Sequence, residues 1–193
     1  MKNYQYAVGI SGTHGKTTTT SMISQILLEA DADPTISVGG ILPSIGGNIR
    51  VGQSETFVTE ACEYTNSFLS FFPNREVILN IEADHLDFFK DIDDIRHSFR
   101  LFAQKLPKDG LLVINSDIDR YEEIVDGLEC RIVTCGKRTD SNYRAEDITY
   151  DHFARAAFRL MIDGQDAGEI TLGVPGEHNV YNALAAIALC RDL

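Results

Sequence analysis

One stretch constrains this chain more than any other. Gly12-Thr13-His14-Gly15-Lys16-Thr17-Thr18 lies between a short apolar run, Tyr6-Ala7-Val8-Gly9-Ile10, and a helix-like segment from Thr17 to Ala30. Strand, glycine-rich turn and helix in that order open a parallel α/β sheet. Glycines let the backbone close round anionic oxygens, and the unpaired N–H groups of the helix start add positive potential. Lys16 has the reach for β- and γ-phosphates, and the Thr17 hydroxyl suits Mg²⁺.

The fit to the general phosphate-loop pattern has one departure. Five places before Gly15 stands Ile10 where a glycine is wanted, and Gly9 comes one place too early. The plain alternative is an ordinary glycine-rich turn with a solvated lysine; the strand before it and the helix after it favour phosphate. A dinucleotide site needs Gly-x-Gly-x-x-Gly, which Ser11 to Gly15 does not supply. A guanine-reading Asn-Lys-x-Asp loop is also absent from the chain.

Bulk properties narrow the class further. With 193 residues, 44% of them hydrophobic, the chain can close one core. The net charge of −12 and the lack of any Lys/Arg cluster beyond Lys137-Arg138 argue against nucleic acid, which wants a basic face. No membrane-length apolar run and no signal-peptide pattern are present, so a cytoplasmic location is expected. Cys62, Cys130, Cys135 and Cys190 are scattered, without Cys-x-x-Cys pairs, and read as packed thiols.

Further strands are expected at Thr56-Phe57-Val58-Thr59, Val77 to Ile81, Leu111 to Ile114 and Arg131 to Thr134. Helices are expected from Asn66 to Phe72, after Asp91 (Ile92, Ile95, Phe99, Phe102 and Leu106 on one stripe), from Asp119 to Val125 and from His178 to Leu189. In the segment from Thr17 to Ala30, Met22, Ile23, Ile26, Leu27 and Ala30 recur as a buried face. Gly46-Gly47-Asn48-Ile49-Arg50 reads as a loop. From Tyr143 to Val174 alternation takes over, with Asp163-Gly164 signalling a hairpin. The expected fold is α/β, a mostly parallel phosphate-loop sheet flanked by helices, with a small antiparallel β subdomain over 143–174 inside a single domain spanning 1–193.

In an open α/β sheet, ligands bind beyond the carboxyl ends of the strands. Glu60 falls at one such end and His85 just past another, on the same rim as the phosphate loop. A carboxylate and a hydroxyl suit a hard cation, so Thr17, Glu60 and His85 are the candidate metal ligands. Each has a duller alternative, a solvated acid or a capping histidine. Asn179 and Asn182, three apart on one helix face, could read the edge of an adenine; Asn179 could equally cap the helix.

Four ordered stretches resemble the Mur ligases, ATP-dependent amide ligases of peptidoglycan precursor synthesis. They are Gly12 to Thr20, Thr59-Glu60-Ala61-Cys62-Glu63 through Ser67-Phe68-Leu69, Asn80-Ile81-Glu82-Ala83-Asp84-His85-Leu86-Asp87, and Gly176-Glu177-His178-Asn179-Val180-Tyr181-Asn182-Ala183. The resemblance implies an ATP-binding central domain with Gly12, Thr13, His14, Gly15, Lys16, Thr17, Thr18, Asn179 and Asn182 around ATP. It implies Lys16, Glu60 and His85 in catalysis, Mg²⁺ on Thr17, Glu60 and His85, and the nucleotide-sugar near Asn48 and Arg50. Glu63, Asp84, Asp87 and His178 are left as supporting residues of open role.

His14 in the loop points to the branch that joins L-alanine to UDP-N-acetylmuramate through an acyl phosphate, or to the similar murein tripeptide ligase branch. Many relatives carry a carbamylated lysine; no lysine occurs from Val51 to Phe89, and none is expected here. Whole family members have three domains, so the resemblance implies that the UDP-gripping and C-terminal domains lie outside this chain. ATP binding with little turnover is then expected of this piece. The rival from another class is a non-ligase ATP-binding or regulatory module.

Overall fold

The computed structural model describes residues 1–193. Its centre is one sheet of ten strands in the order β10-β9-β8-β7-β6-β5-β1-β4-β2-β3. The strands are β1 (Tyr6–Ser11), β2 (Thr35–Leu42), β3 (Gly47–Arg50), β4 (Thr56–Glu60), β5 (Arg75–Ile78), β6 (Leu111–Asn115), β7 (Arg131–Cys135), β8 (Tyr143–Tyr150), β9 (Arg155–Ile162) and β10 (Gln165–Pro175). The helices are α1 (Lys16–Glu29), α2 (Ile92–Ala103), α3 (Tyr121–Val125) and α4 (His178–Cys190). From β2 to β8 every neighbour is parallel, while β3 at one end and β9 and β10 at the other run antiparallel.

Side chains alternate across each strand, so the sheet carries two cores. Val8, Ile10, Val58, Val77, Leu79 and Val113 pack with Ile23 and Leu27 of α1 and Val180 and Leu184 of α4. On the other face Ile78, Leu112 and Ile114 meet Ile95, Phe99 and Phe102 of α2, with Phe68 stacked on Phe102 at 4.5 Å. Helix α2 starts where Asp91 Oδ1 accepts from the Asp94 amide at 3.0 Å. Its apolar residues follow the expected stripe. At the end of α4, Asp192 is paired with both Arg75 and Arg131, which fastens the helix to the base of the sheet.

Several expectations need correcting. The segment before Thr56 holds two strands, not a loop. Gly47–Arg50 is β3, lying antiparallel on β2, with Ile36 opposite Arg50 and Leu42 opposite Gly47. Gly39-Gly40 within β2, and Gly46-Gly47 at the entry to β3, mask alternation. The strand expected over Val77 to Ile81 spans Arg75–Ile78 instead, and its continuation becomes a loop at the site. The expected helix at Asn66 to Phe72 is a 3-10 segment, Tyr64–Ser70, with left-handed backbone at Thr65 and Asn66.

In α1 the buried side is Thr19, Thr20, Ile23, Ser24 and Leu27, whereas Ile26 is 38% exposed and Ala30 is at the surface. Small hydroxyl residues face inward because α1 is packed between the sheet and α4. The hairpin at Asp163-Gly164 is a two-residue turn pairing Ile162 with Gln165, and both turn residues have positive φ, 48° and 77°. That is the turn whose twist suits the flanking strands. Strands β8 to β10 continue the main sheet, joined to it by the Cys135–Tyr143 pairing. No helix is long and apolar enough to cross a membrane.

Candidate functional site

The loop from Gly12 to Gly15 leaves the end of β1 and turns into α1 with two glycines in left-handed or near-left-handed backbone, φ 138° and 86°. At Gly12 there is no room for a side chain, since a Cβ would come within 3.0 Å of Leu79. The loop is held from the β5 side by a residue the sequence reading quoted without a role. Asn80 Oδ1 accepts from the His14 amide at 2.7 Å, and Asn80 Nδ2 donates to the His14 carbonyl at 3.0 Å. The Asn80 carbonyl accepts from the Thr13 amide at 3.1 Å, and Thr13 Oγ1 accepts from the Glu82 amide at 3.0 Å. One amide side chain therefore fixes both ends of the His14 residue. Its signal in the sequence was a polar residue interrupting the apolar run Val77 to Ile81.

Lys16 folds back over this loop. Its ammonium donates to the Gly12 carbonyl at 2.5 Å and the Thr13 carbonyl at 3.2 Å, and it pairs with Glu63 Oε2 at 2.9 Å. Glu63 is 2% exposed. Beside it, Thr17 Oγ1 donates to Glu60 Oε2 at 3.1 Å, and Glu60 Oε1 accepts from the Gly39 amide at 2.5 Å. Gly39 belongs to β2, whose glycines hide it in the sequence. A Cβ there would press to 2.9 Å on both Glu60 oxygens, so the glycine is what allows the carboxylate to stand against that strand.

Thr17 and Glu60 thus meet in an open corner next to Lys16. Two hard oxygen donors at this spacing fit a small divalent cation. No group of three or more His, Cys, Asp and Glu side chains is gathered anywhere in the fold as for a resident metal.

His85 is not joined to that corner by any hydrogen bond or ion pair. It has left-handed backbone, φ 51°, its ring lies 4.4 Å from the ring of Tyr64, and Asp84 is its ionic neighbour at 3.9 Å. Tyr64 in turn donates to Asp87 at 2.8 Å, and that bond pushes the phenol's pKa up. Because Tyr64 follows Glu63 directly, the loop carrying His85 is tied to the segment carrying both glutamates.

On the other side of the loop lies a cleft of about 430 Å³, lined by His14 and Gly15 from the loop and by His178, Tyr181 and Asn182 from α4, among others. Asn179 and Asn182 are nearly buried and bonded to each other, Asn182 Nδ2 to Asn179 Oδ1 at 3.0 Å. Asn179 Nδ2 also donates to the Pro175 carbonyl at 2.7 Å. At the start of α4, Lys137 pairs with Glu177 at 3.0 Å and lies over the Tyr181 ring, which raises the lysine's pKa and lowers the glutamate's.

Arg50 is elsewhere. Its guanidinium is turned to Asp33 and to the Pro34 carbonyl at the entry to β2, and Asn48 is exposed on the edge strand β3. Neither touches the corner formed by Lys16, Thr17 and Glu60.

Comparison with known proteins gives a consistent picture. Residues 10–190 match the Mur ligase middle domain. The chain is 62% identical over 194 residues to a UDP-N-acetylmuramate–L-alanine ligase of Lachnospira eligens, covering all of this chain and 42% of that protein. It is 61% identical to the protein of the same name in Agathobacter rectalis, again covering 42% of it. Among solved structures, the UDP-N-acetylmuramate-alanine ligase of Thermotoga maritima aligns at TM-score 0.83 and 30% identity over 99% of this chain and 42% of that one. The UDP-N-acetylmuramate:L-alanyl-gamma-D-glutamyl-meso-diaminopimelate ligase of Neisseria meningitides aligns at 0.85 and 30%, over 96% and 61%. The chain therefore spans less than half the length of the curated relatives it matches.

Proposed function

Since this chain belongs to the Mur ligase family through its middle domain, we propose that it is the ATP-binding part of a ligase that joins L-alanine to UDP-N-acetylmuramate. The observation that carries the nucleotide reading is the convergence of Lys16, Thr17 and Glu60 in one corner at the mouth of the Gly12–Gly15 loop. The names of the relatives at 61–62% identity support the choice of L-alanine.

On this reading the triphosphate lies along the loop, with the base in the cleft toward Asn179 and Asn182. His14 and Thr13 supply shape to the cradle, and Thr18 adds its amide and hydroxyl at the start of α1. Thr17 and Glu60 would hold Mg²⁺, with His85 supporting a second ion from the adjoining loop. A bound Mg²⁺ supplies positive charge that draws electron density from the phosphate oxygens. Lys16 neutralises the terminal phosphate as the γ-phosphoryl group passes to the lactyl carboxylate of UDP-N-acetylmuramate. The acyl phosphate so formed is attacked by the alanine amine; the amide bond forms, the C–O bond to phosphate breaks, and inorganic phosphate leaves with the amine's proton released. Phosphoryl transfer is mostly positioning and charge neutralisation, which is what these side chains offer. Asn48 and Arg50 remain the proposed approach of the nucleotide-sugar, now with Arg50 needing to leave Asp33.

The proposal gives this chain the nucleotide half of the reaction and, by itself, little turnover; cytoplasmic location belongs to the same proposal. Calorimetry with MgATP tests it. Binding that is lost in Lys16→Ala and loses its Mg²⁺ dependence in Glu60→Ala supports the site, and unaltered binding in both overturns it. The specificity is tested on the full ligase by phosphate release. Dependence on L-alanine supports the proposal. Dependence on the tripeptide instead favours the reaction named for the Neisseria structure, and release needing neither indicates a non-ligase module.

A further inference from the structure

The ammonium of Lys16 has three hydrogens, and in this structure every one is taken. Acceptors stand at 2.5 Å (Gly12 carbonyl), 3.2 Å (Thr13 carbonyl), 2.9 Å and 3.3 Å (the two Glu63 oxygens). To bond a phosphate, Lys16 must release one of them. The two carbonyls are fixed in the backbone of the loop itself, whereas the Glu63 acceptor is a side chain reaching in from another segment. Glu63 is the exchangeable partner, an anion occupying the direction from which a terminal phosphate would be bonded.

The exchange has a second side. Lys16 is the only hydrogen-bonding partner of the Glu63 carboxylate, which is 2% exposed. When Lys16 turns to a phosphate, that carboxylate is left without water or a cation while a triphosphate arrives nearby. An unpaired buried charge is costly, and like charges at close range repel. Glu60 stands three residues away and adds to the same negative field. A divalent cation entering with the nucleotide relieves both.

Resting on the nucleotide reading above, we propose that Glu63 is a positioning residue for Lys16. It stands in for phosphate while the loop is empty, and it makes the handover of Lys16 to a nucleotide conditional on a divalent cation. The rule that metal-free nucleotide is rejected is then built into the Lys16–Glu63 pair and does not rest on the metal ligands alone.

The test measures affinity for ATP in EDTA and for ATP with excess Mg²⁺, together with melting temperature, in the wild-type chain and in Glu63→Gln. The glutamine keeps the shape and one acceptor but removes the charge. The expected result is a gain of about tenfold for ATP in EDTA, the size of one charge-assisted hydrogen bond no longer competed for. MgATP affinity changes less, so the ratio between the two conditions shrinks. Glu63→Asp, which keeps the charge but draws it back from Lys16, is expected to move the same ratio in the same direction by less, and it serves if the glutamine variant fails to fold. An unchanged ratio overturns the proposal, as does a parallel loss of both affinities with a lowered melting temperature, which would make Glu63 a structural partner only. The nucleotide reading is judged separately: wild-type binding of MgATP upholds it whatever Glu63 does, and absence of binding under both conditions ends both.

Discussion

Asn182 of α4 fills the space in front of Gly15: a Cβ built on that glycine would lie 2.7 Å from the asparagine's Oδ1. The last helix of the chain and the first turn thus form one surface, with the cleft between them.

Gly15→Ala should therefore harm the loop twice, through the contact with Asn182 and through a φ of 86° that alanine resists. Loss of MgATP affinity by about tenfold or more is expected by calorimetry; the steric part is read by melting temperature, where Asn182→Ala in the same chain should restore only part of the loss, because the backbone strain remains. Full restoration would show that the glycine is needed for space alone.

Asn80→Ala removes both bonds to the His14 residue. Two lost hydrogen bonds at a half-buried position amount to about 1–3 kcal/mol, and the cost should fall on the loop. The expected outcome is weaker MgATP binding by roughly tenfold or more, with the melting temperature lowered by only a few degrees. Hydrogen exchange at the Thr13 and His14 amides should speed up in parallel.

Much of this was legible beforehand, and the exceptions have physical causes. The turn at Gly12–Lys16 and the α2 stripe announce themselves because period and composition agree over many residues. Strands β2 and β3 did not, since Gly39, Gly40, Gly46 and Gly47 carry no side chain to alternate. One of them, Gly39, admits Glu60 to the corner, so alternation is interrupted at a point where close approach is needed. The role of Glu63 stays open in the sequence because its partner, Lys16, is 47 positions away. The buried face of α1 keeps Ile23 and Leu27 but otherwise differs from the apolar pattern, since the small Thr19, Thr20 and Ser24, polar by type, fit between α4 and the sheet.

Glu76 offers a test of stability. It lies in β5 between Gly9 and Leu112, fully buried, with neither carboxylate oxygen bonded. Burial pushes its pKa well above the ordinary 4.5, so the folded state holds a proton the unfolded state gives up. The folded chain binds more protons above about pH 4.5, and stability must fall as pH rises from there toward the raised value. Glu76→Met, similar in volume and uncharged, should be more stable by about 1–3 kcal/mol at neutral pH. In urea titrations the gap over wild type should widen as pH rises above 4.5 and be smallest at the acid end. Nothing in the structure explains why an acid stands there.

The four thiols should separate by rate. Cys62 is exposed, Cys130 and Cys135 are buried, and burial pushes the Cys135 and Cys190 thiols up to about 12. A thiolate is the reactive form, so Ellman's reagent at pH 8 should modify one cysteine quickly and the others only on unfolding. The fast one disappears in Cys62→Ser. Since Cys62 sits between Glu60 and Glu63, MgATP should slow its reaction.

An open sheet leaves two rims at which another chain could add a strand and begin a fibre. Here both rims are spoiled. At one end β3 is only four residues long and reaches its partner across a register shift. At the other, β10 is eleven residues long but broken by two register shifts, carries Asp166 and Glu169, turns left-handed at Gly168 and ends on Pro175. A neighbour seeking continuous pairing meets kinks, charge and a missing donor. A ribbon of ten strands thus offers no clean edge on which a further strand could be templated.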